Sequence, residues 1–381
     1  MRVLLTAYHL IPGGAEKVIV NLARGLRENH NTETFIFAAE GKETDGFYKD
    51  LPPEMKKTVF FPKTPPPKIP FIKTVFRTLS LIRAAREIEA DLIYSHVMNL
   101  PSVIAGKVLG IPVIVVEMNN PEARINDSQS WKWQSYFVLK TAKRLASVVV
   151  AVSSELAEFS RTYWNLKENP RAIYNGIDIK EVREKSGETA SHPWIENKET
   201  PLVVSVGRIV AQKDFGTLIR AFDILRNKTD ARLIIVGGRE TESEKAKLMA
   251  MIRNLNLTGH ISFAGEDTNP YPFMKAADVY VSSSIYEGFG ITVVEAQTLG
   301  TPCVSTDYKF GANEVIEDGK SGILVPVGNA EKMAEGILKL IENPELAKQM
   351  GEIAAKRAGD LFSIEVMTEK HYLLFKEVAK V

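Results

Sequence analysis

Two carboxylates stand eight residues apart at Glu287 and Glu295, and Gly288 and Gly290 closely follow the first. A short β-branched and apolar run precedes them, and a helical pattern begins at Ile291. The predicted order is therefore strand, glycine-bearing loop and helix N-terminus. Such a loop lets backbone N–H groups approach a ligand, and the helix dipole favours negative charge there.

The two carboxylates are suited to binding hydroxyl groups. Glu295 lies inside the predicted helix among apolar residues, and a carboxylate in such surroundings is costly unless donors satisfy it. The two adjacent hydroxyls of a ribose can both donate to it. Glu287, in the loop, can accept from the hydroxyls of a sugar. The alternative is an exposed loop glutamate followed by a glutamate on an amphipathic helix.

Two cations follow another predicted strand, at residues 202–206. Arg208 comes directly after Gly207 at the end of this strand, and Lys213 lies in the next loop. In a parallel sheet such positions face the ligand crevice, so the side chains are expected to bind an anion. Solvated surface cations are the alternative. Because the chain contains no Asp-x-Asp sequence, a metal-bridged diphosphate is not expected, and no metal site is predicted.

A glycine pair, Gly13 and Gly14, separates the first predicted strand from a predicted helix. Without side chains, this loop leaves its backbone open to a phosphate. The third glycine of the dinucleotide-binding fingerprint is absent. A plain turn is therefore an equally good interpretation.

The composition is that of an ordinary globular protein, and its 381 residues favour two domains. The net charge of +1 does not indicate nucleic-acid binding. The single cysteine, Cys303, excludes an intrachain disulfide framework and a cysteine-rich zinc site. The apolar run at residues 108–116 is too short to span a bilayer, and the chain is expected to be cytoplasmic.

Strands and helices alternate along both halves of the chain, which is typical of parallel, doubly wound sheets. The predicted strands cover residues 2–7, 34–38, 92–95, 113–117, 147–152, 202–206, 232–236, 261–264, 279–283, 303–306 and 322–325. The predicted helices include residues 15–26, 72–88, 215–226, 243–255, 291–299 and 330–342. Residues 180–200 are polar with little periodicity and are interpreted as a surface stretch near a domain junction.

Two segments mix cations with aromatic residues. One is residues 62–77, which also contains several prolines. The other comprises Trp131, Lys132, Trp133, Tyr136, Phe137, Lys140, Lys143 and Arg144. Such mixtures suit the surface of an anionic bilayer, and a surface loop with a packed helix is the alternative.

Four motifs occur in one order: Gly13-Gly14-Ala15-Glu16, Asn175-Gly176-Ile177-Asp178, Val206-Gly207-Arg208 with Lys213, and Glu287 with Glu295. Together they resemble the retaining glycosyltransferases of family 4. That family has the GT-B fold, an α/β architecture of two Rossmann-like doubly wound parallel-sheet domains facing a central cleft. The resemblance covers nearly the whole chain. The first motif and residues 286–289 are similar to those of enzymes that extend polyprenyl-diphosphate-linked oligosaccharides and surface glycans.

The resemblance implies a role for each motif. Arg208 and Lys213 would bind the diphosphate of a nucleotide-sugar donor and stabilise charge on the leaving nucleotide. Glu287 would bind the hydroxyls of the transferred sugar, and together with Arg208 and Lys213 it would be a catalytic residue. Glu295 would hold the ribose. Main-chain groups near residues 263–265 would meet the base. The other donor-binding positions are Gly13, Gly14, Gly207, Gly265, Gly288, Phe289, Gly290 and Ile291.

The acceptor side departs from the family pattern. Many members carry a histidine just after the strand predicted at residues 113–117, where this chain has Met118. A methionine cannot shuttle protons, so either Glu117 or Asn119 fills that role or this branch does not need it. His96 has either an acceptor-side or a structural role. The acceptor-side candidates are Glu16, His96, Glu117 and Asn119.

The resemblance also implies a domain layout. An N-terminal acceptor-binding domain, residues 1–182, would be joined by the C-terminal helix, residues 362–381, whose apolar residues recur at helical spacing. Residues 183–361 would form the donor-binding domain. Closure of the cleft on the donor would assemble the site.

These features predict a retaining, metal-independent hexosyltransferase that uses a nucleotide-sugar, expected to be a UDP-sugar, and needs no cofactor. The expected acceptor is a polyprenyl-diphosphate-linked glycan at the inner face of the cell membrane, with an anionic membrane surface as a possible partner. One alternative is a glycosyltransferase with a soluble small-molecule acceptor. Others are a catalytically silent sugar-nucleotide-binding subunit and, more weakly, a sugar-nucleotide epimerase.

Overall fold

The structure, a computed structural model, describes residues 1–11, 13–62, 64–67, 69–122, 132–238 and 242–380. The chain forms two compact units, Met1–Gly176 with Ile364–Val381, and Ile177–Ser363. The sequence placed the boundary after residue 182, whereas the division falls after Gly176. The reason is that the Ile177 N–H donates to the Phe362 carbonyl (2.8 Å) and so joins the second unit.

Within the described residues, a seven-stranded parallel sheet forms the core of the first unit. Its strands are β1 (Arg2–Ala7), β2 (Glu33–Ala38), β3 (Val59–Phe60), β4 (Leu92–Ser95), β5 (Val113–Glu117), β6 (Val148–Ala151) and β7 (Arg171–Ala172). Their order across the sheet is β3-β2-β1-β4-β5-β6-β7, so the winding reverses between β1 and β4. Ligands of doubly wound sheets bind beyond the carboxyl ends of the strands at such a reversal.

Helices cover this sheet, which explains why its central strands are almost entirely apolar. They are α1 (Gly14–His30), α2 (Gly46–Asp50), α3 (Pro53–Lys56), α4 (Pro70–Glu87), α5 (Asn99–Leu109), α6 (Lys132–Leu145) and α7 (Ser154–Trp164). α1 ends at Asn31, which adopts the left-handed conformation (φ 48°). α7 begins at a cap in which the Ser153 hydroxyl accepts from the Leu156 N–H.

A six-stranded parallel sheet forms the core of the second unit, counted over the described part of the chain. Its strands are β8 (Leu202–Val206), β9 (Arg232–Val236), β10 (Ile261–Gly265), β11 (Val279–Ser282), β12 (Cys303–Thr306) and β13 (Ile323–Val325). Their order is β10-β9-β8-β11-β12-β13, and the winding reverses between β8 and β11. The two units therefore repeat one architecture, as the alternation in the sequence predicted.

The helices of the second unit are α8 (Ile179–Lys185), α9 (Pro193–Glu196), α10 (Phe215–Arg226), α11 (Glu242–Asn254), α12 (Tyr271–Ala276), α13 (Ile291–Thr298), α14 (Ala312–Val315), α15 (Ala330–Glu342) and α16 (Pro344–Phe362), with a 3-10 turn at Ala211–Lys213. Residues 180–200 are not a bare surface stretch, because they contain most of α8 and all of α9. Ala190, between these helices, is buried in a core cluster with Leu202 and Phe273. Asp178 caps α8 by accepting from the Glu181 N–H.

The last helix, α17 (Ile364–Ala379), belongs to the first unit. It packs against α1 so closely that a Cβ added at Gly25 would lie 2.4 Å from the Thr368 methyl group. His371, on the buried face of α17, contacts the Tyr94 hydroxyl of β4 (2.8 Å). Among the helices of the described ranges, none is both long enough and apolar enough to cross a membrane.

Candidate functional site

The strands at the reversal of the second sheet lead into the two strongest sequence motifs. β8 continues into Gly207 and Arg208, and β11 continues into the loop that contains Glu287. The Lys213 Nζ lies 2.6 Å from the Glu287 Oε1, and each side chain is only 15% exposed. The fold therefore joins two motifs that are 74 residues apart in the sequence.

Hydrogen bonds hold these two loops together. The Ser284 hydroxyl donates to the Glu287 Oε1 (2.8 Å), and the Ser283 hydroxyl donates to the Lys213 carbonyl (2.7 Å). The Gln212 Nε2 donates to the carbonyl of Tyr286 (2.8 Å). Gln212, Ser283 and Ser284 were not among the predicted site residues. Their positions beside the predicted cation and carboxylate were the available signal.

Arg208 is exposed, and its guanidinium contacts the Gln212 Oε1 at 3.4 Å, near the limit of a hydrogen bond. Lys213, in contrast, is held by the Glu287 carboxylate. The site thus combines one fixed cation with one cation that can turn toward a ligand. This arrangement suits a polyanion, such as a diphosphate, that can contact both Arg208 and Lys213.

Glycines allow the carboxyl ends of β8, β9 and β10 to approach closely. The Gly207 N–H donates to the Val236 carbonyl (3.0 Å), and the Gly237 N–H donates to the Gly265 carbonyl (2.7 Å). A Cβ added at Gly237 would lie 1.8 Å from the Gly207 carbonyl oxygen. The predicted residues Gly207 and Gly265 therefore lie at one edge of the sheet, with Gly237, which sequence analysis missed, between them.

The loop after β11 ends at Gly290, and the backbone conformation at the start of α13 requires a glycine there. Gly290 precedes α13 with φ 91°, a conformation that side chains disfavour. A Cβ there would lie 2.1 Å from the Tyr308 hydroxyl, which donates to the carbonyl of Phe289 (3.1 Å). The Phe289 ring is buried against Phe362, so the backbone of this loop and the first turn of α13, including Gly288 and Ile291, is the part that can meet a ligand.

Glu295 is buried on α13, as the sequence predicted, and its environment contains an unexpected donor. The Tyr271 hydroxyl donates to the Glu295 Oε1 at 3.0 Å. Burial, and then the charge of Glu295, raise the pKa of Tyr271, so the phenol stays protonated and remains a donor. Sequence analysis missed Tyr271, because only the tertiary fold brings α12 beside α13.

The glycine pair of the first unit lies at the carboxyl end of β1. Gly13 is the N-cap of α1 with extended backbone, and Gly14 is exposed. The Glu16 Oε2 would lie 2.5 Å from a Cβ added at Gly13, so this carboxylate folds back over the loop. The His9 Nδ1 lies 3.4 Å from the Glu16 Oε1. Glu16 is thus near the phosphate cradle that the sequence predicted.

Glu117 lies in the core of the first unit. The Trp164 Nε1 donates to the Glu117 Oε2 (2.7 Å), and the Lys143 Nζ lies 2.9 Å from the same oxygen. The side chains of Glu117 and Lys143 are 2% and 0% exposed. This geometry gives Glu117 a structural role, because its carboxylate pairs with a buried lysine; its acceptor-side role stays a prediction.

The other acceptor-side candidates have separate environments. His96 is buried beside Tyr94, and neither ring nitrogen has a hydrogen-bond partner among the residues described. Burial lowers the pKa of His96 to about 3, so the ring is neutral. Asn119 is half-buried, and its Oδ1 accepts from the Asn120 N–H (2.8 Å).

Some cations of the two segments rich in cations and aromatic residues make contacts within the protein. Lys73 pairs with Glu40 at 2.9 Å, and Arg77 pairs with the same carboxylate and stacks on the Tyr8 ring. Two predicted membrane-facing cations are therefore held within the protein. Lys63, Lys68 and Trp131, and the side chains of Lys132 and Trp133, lie outside the described residues.

Two family models match the chain. The model described as glycosyl transferases group 1 matches residues 188–357. The model described as Glycosyltransferase Family 4 matches residues 12–181. The first lies within the second unit and contains the Lys213–Glu287 pair. The second begins at the glycine pair of the first unit and extends into α8.

Characterised and uncharacterised relatives span most of the chain. One is the N-acetylgalactosamine-N,N'-diacetylbacillosaminyl-diphospho-undecaprenol 4-alpha-N-acetylgalactosaminyltransferase of Campylobacter jejuni, 26% identical over 81% of this chain and 83% of the relative. Another is an uncharacterized glycosyltransferase of Methanocaldococcus jannaschii, 28% identical over 84% of this chain and 88% of the relative.

Solved structures share the fold over the whole length. HepE of Anabaena in complex with UDP superposes with a TM-score of 0.79 at 22% identity, covering 99% of this chain and 100% of that one. The same protein has been solved with UDP-glucose. At this identity the likeness shows the fold alone, which confirms the predicted GT-B architecture.

Proposed function

We propose that this chain, which belongs to the glycosyltransferases of family 4 and group 1, is a retaining enzyme that uses a UDP-sugar without a metal ion. The coarser activity, transfer of a sugar from a nucleotide-sugar, follows from the family. We further propose that the acceptor is a polyprenyl-diphosphate-linked glycan. The observation that carries the proposal is the half-buried Lys213–Glu287 contact of 2.6 Å at the reversal of the second sheet.

This contact provides a fixed cation where a leaving diphosphate needs one. As the bond between sugar and phosphate breaks, negative charge grows on the diphosphate, and preorganised cations stabilise it. Lys213 is already ordered by Glu287, and Arg208 lies nearby with an exposed guanidinium. Two cations and the N–H groups at the start of α13 can serve this function without a metal, which agrees with the lack of an Asp-x-Asp sequence.

The same carboxylates position the donor. In the proposed complex, Glu295 accepts from the ribose hydroxyls, with its carboxylate oriented by Tyr271. Glu287 accepts from the hydroxyls of the transferred sugar while Lys213 and Ser284 hold its Oε1. A carboxylate held by two donors is a weak nucleophile, so we assign Glu287 to sugar binding. The acceptor then attacks from the face that the leaving group departs, which gives retention.

Two similarities support the donor and acceptor classes. HepE, which shares the fold, has been solved with UDP and with UDP-glucose. The Campylobacter relative is named as a transferase that acts on a diphospho-undecaprenol-linked saccharide. A soluble small-molecule acceptor is the competing proposal, and binding of the protein to lipid vesicles would count against it.

Thermal-shift screening with UDP-, GDP- and ADP-sugars tests the donor class. We expect UDP-sugars to stabilise the protein, and Lys213→Met to remove most of that shift. Lys275→Met, an exposed lysine on α12, is the matched control and should keep it. Stabilisation by another nucleotide class, or an unchanged shift in Lys213→Met, would contradict the proposal.

Donor hydrolysis separates an enzyme from a silent binding subunit. The wild-type protein should slowly hydrolyse the stabilising nucleotide-sugar, and Glu287→Ala should abolish this. Nuclear magnetic resonance of the glycoside formed by transfer to an acceptor should show that the sugar keeps the donor's anomeric configuration. Transfer should persist in excess chelator. An inverted product or chelator-sensitive transfer would overturn retention or metal independence, respectively.

A further inference from the structure

One helical face of the first unit is exposed, apolar and cationic. It is formed by α4, α5 and α6, with α5 packed against both of the others. We call it the α4–α6 face. Its exposed large apolar side chains include Phe71, Val75 and Leu79 of α4, Val108 of α5, and Phe137 and Val138 of α6.

The apolar residues of α4 lie on the side of the helix away from the core. Phe71, Val75 and Leu79 recur every four residues and form one stripe. Phe71 is 79% exposed and Leu79 is 61% exposed. Because Leu81 and Ala85 bury another side of α4 in the core, the helix is apolar on two sides. A surface helix in water normally carries polar residues on its outer face.

The charges of these helices have nearly one sign. α4, α5 and α6 contain nine Lys and Arg and one acid, Glu87, although the whole chain has 48 basic and 47 acidic residues. Lys73, Arg77 and Lys143 are paired inside the unit. The cations that remain exposed on these three helices include Arg83, Arg86, Lys107 and Arg144.

We propose that the α4–α6 face docks on an anionic lipid bilayer. α4 lies in the plane of the interface, with Phe71, Val75 and Leu79 among the acyl chains and Arg83 and Arg86 at the headgroups. The inference rests on the proposed function and deepens it, because a polyprenyl-linked acceptor is held in a membrane. Two of the cations that the sequence indicated, Lys73 and Arg77, are bound to Glu40, so the proposal assigns the headgroup contacts of α4 to Arg83 and Arg86.

Charge decides between a membrane and a second copy of this chain. A twofold-symmetric dimer through the α4–α6 face would place the same cationic surface on both sides of the interface. Like charges brought together are repulsive, so self-association through this face is disfavoured. An anionic lipid surface complements both the apolar stripe and the cations.

Vesicle flotation of the full chain tests the proposal. The vesicles are phosphatidylcholine alone and phosphatidylcholine with about 30% phosphatidylglycerol. The wild-type protein should float with the anionic vesicles. The double variant Phe71→Ser/Leu79→Ser should float with neither kind. The double variant Arg83→Gln/Arg86→Gln should bind the anionic vesicles at least about tenfold more weakly.

Matched controls replace exposed residues on other helices. Leu373→Ser/Ile353→Ser removes two exposed apolar side chains, and Lys348→Gln/Lys356→Gln removes two exposed charges. Both should float like the wild-type protein. Equal loss in the controls, or unchanged flotation of the face variants, would overturn the docking surface. So would a dimer that dissociates in Phe71→Ser/Leu79→Ser without any binding to vesicles.

The thermal shift with UDP-sugars separates this proposal from the proposed function. All four variants should keep the wild-type shift, which also shows that they fold. A protein that is stabilised by a UDP-sugar but does not float would refute the docking surface alone. A protein that floats but gains no stability from any nucleotide-sugar would refute the proposed function.

Discussion

The contact between Lys213 and Glu287 orders both side chains at the proposed donor site. The lysine is held 2.6 Å from a carboxylate at the sheet edge. A half-buried ammonium without such a partner would be poorly ordered and partly desolvated. In the proposed complex, the ammonium contacts the diphosphate while it still holds the Glu287 Oε1, and the carboxylate accepts from the sugar hydroxyls. The pair therefore fixes the cation at the position where the proposed mechanism develops negative charge.

At the same scale, Tyr271 is expected to act through Glu295. Tyr271→Phe removes the donor 3.0 Å from the Glu295 Oε1 and so weakens the orientation of the carboxylate. A hydrogen bond to a charged group contributes about 1.5–3 kcal/mol. We expect KM for the donor to rise about tenfold with little change in kcat.

A double-mutant cycle distinguishes orientation from packing. In a Glu295→Gln background, Tyr271→Phe should cost far less donor affinity than in the wild-type protein. Equal costs in the two backgrounds would show that the phenol acts independently of Glu295.

At the scale of elements, the loop before α13 depends on the absence of a side chain at Gly290. Gly290→Ala forces an alanine to φ 91° and its methyl group against the Tyr308 hydroxyl. A left-handed conformation alone costs about 1–2 kcal/mol for a residue with a Cβ. We expect a lower Tm and a loss of donor binding, since the N-terminus of α13 must shift.

Gly300→Ala is the matched control for this prediction. Gly300 also has positive φ (74°), but the nearest atom to an added Cβ is 3.9 Å away. It should lower Tm less and leave donor binding intact. Adding Tyr308→Phe to Gly290→Ala should recover part of the loss. If both alanine variants behave alike, the clash is unimportant.

Three elements meet at Glu117, where β5, α6 and α7 contribute the carboxylate, Lys143 and Trp164. Glu117→Leu leaves an uncompensated buried lysine, which typically costs about 3–5 kcal/mol. Glu117→Leu/Lys143→Met should recover most of the free energy of unfolding, as measured by urea denaturation. The double variant should also keep wild-type kcat. Restored stability without transfer would instead support an acceptor-side role.

At the scale of the whole molecule, α17 fastens the end of the chain to the first unit through a neutral histidine. The Met367 carbonyl requires a proton on the His371 Nδ1 (2.9 Å), so the Nε2 accepts from the Tyr94 hydroxyl. Burial lowers the pKa of His371 to about 4. As the pH falls, His371 therefore becomes protonated near pH 6.5 in the unfolded chain but only near pH 4 in the native state.

The free energy of unfolding should consequently fall as pH decreases from 6.5 toward 4. Between pH 7 and pH 5 the loss is about 2 kcal/mol for such a histidine, and His96, with its pKa lowered to about 3, adds a similar amount. Urea midpoints at the two pH values measure this loss. In His371→Gln the difference should shrink by about half. An unchanged difference would exclude His371 as its source.

The fold was predictable where local patterns were strong. β1, β4, β5, β8, β9 and β12 have the predicted bounds, because apolar runs between turns specify buried parallel strands. Pro344–Phe362 and Ser154–Trp164 were not predicted as helices. Residues 180–200 are mostly exposed and lie near the boundary of the units, as predicted, but α8 and α9 were not predicted because the few apolar residues that pack there, such as Ala190, show no periodic pattern.

The amino-acid sequence was enough to predict which residues carry charge, which loops lack side chains, and that two parallel sheets would place both at their carboxyl edges. These properties follow from residue type and local periodicity. The partner of each group depends on the tertiary fold: Lys213 for Glu287, Tyr271 for Glu295, and Lys143 for Glu117. These partners lie far apart along the chain, and packing of whole elements, which no local pattern encodes, brings them into contact.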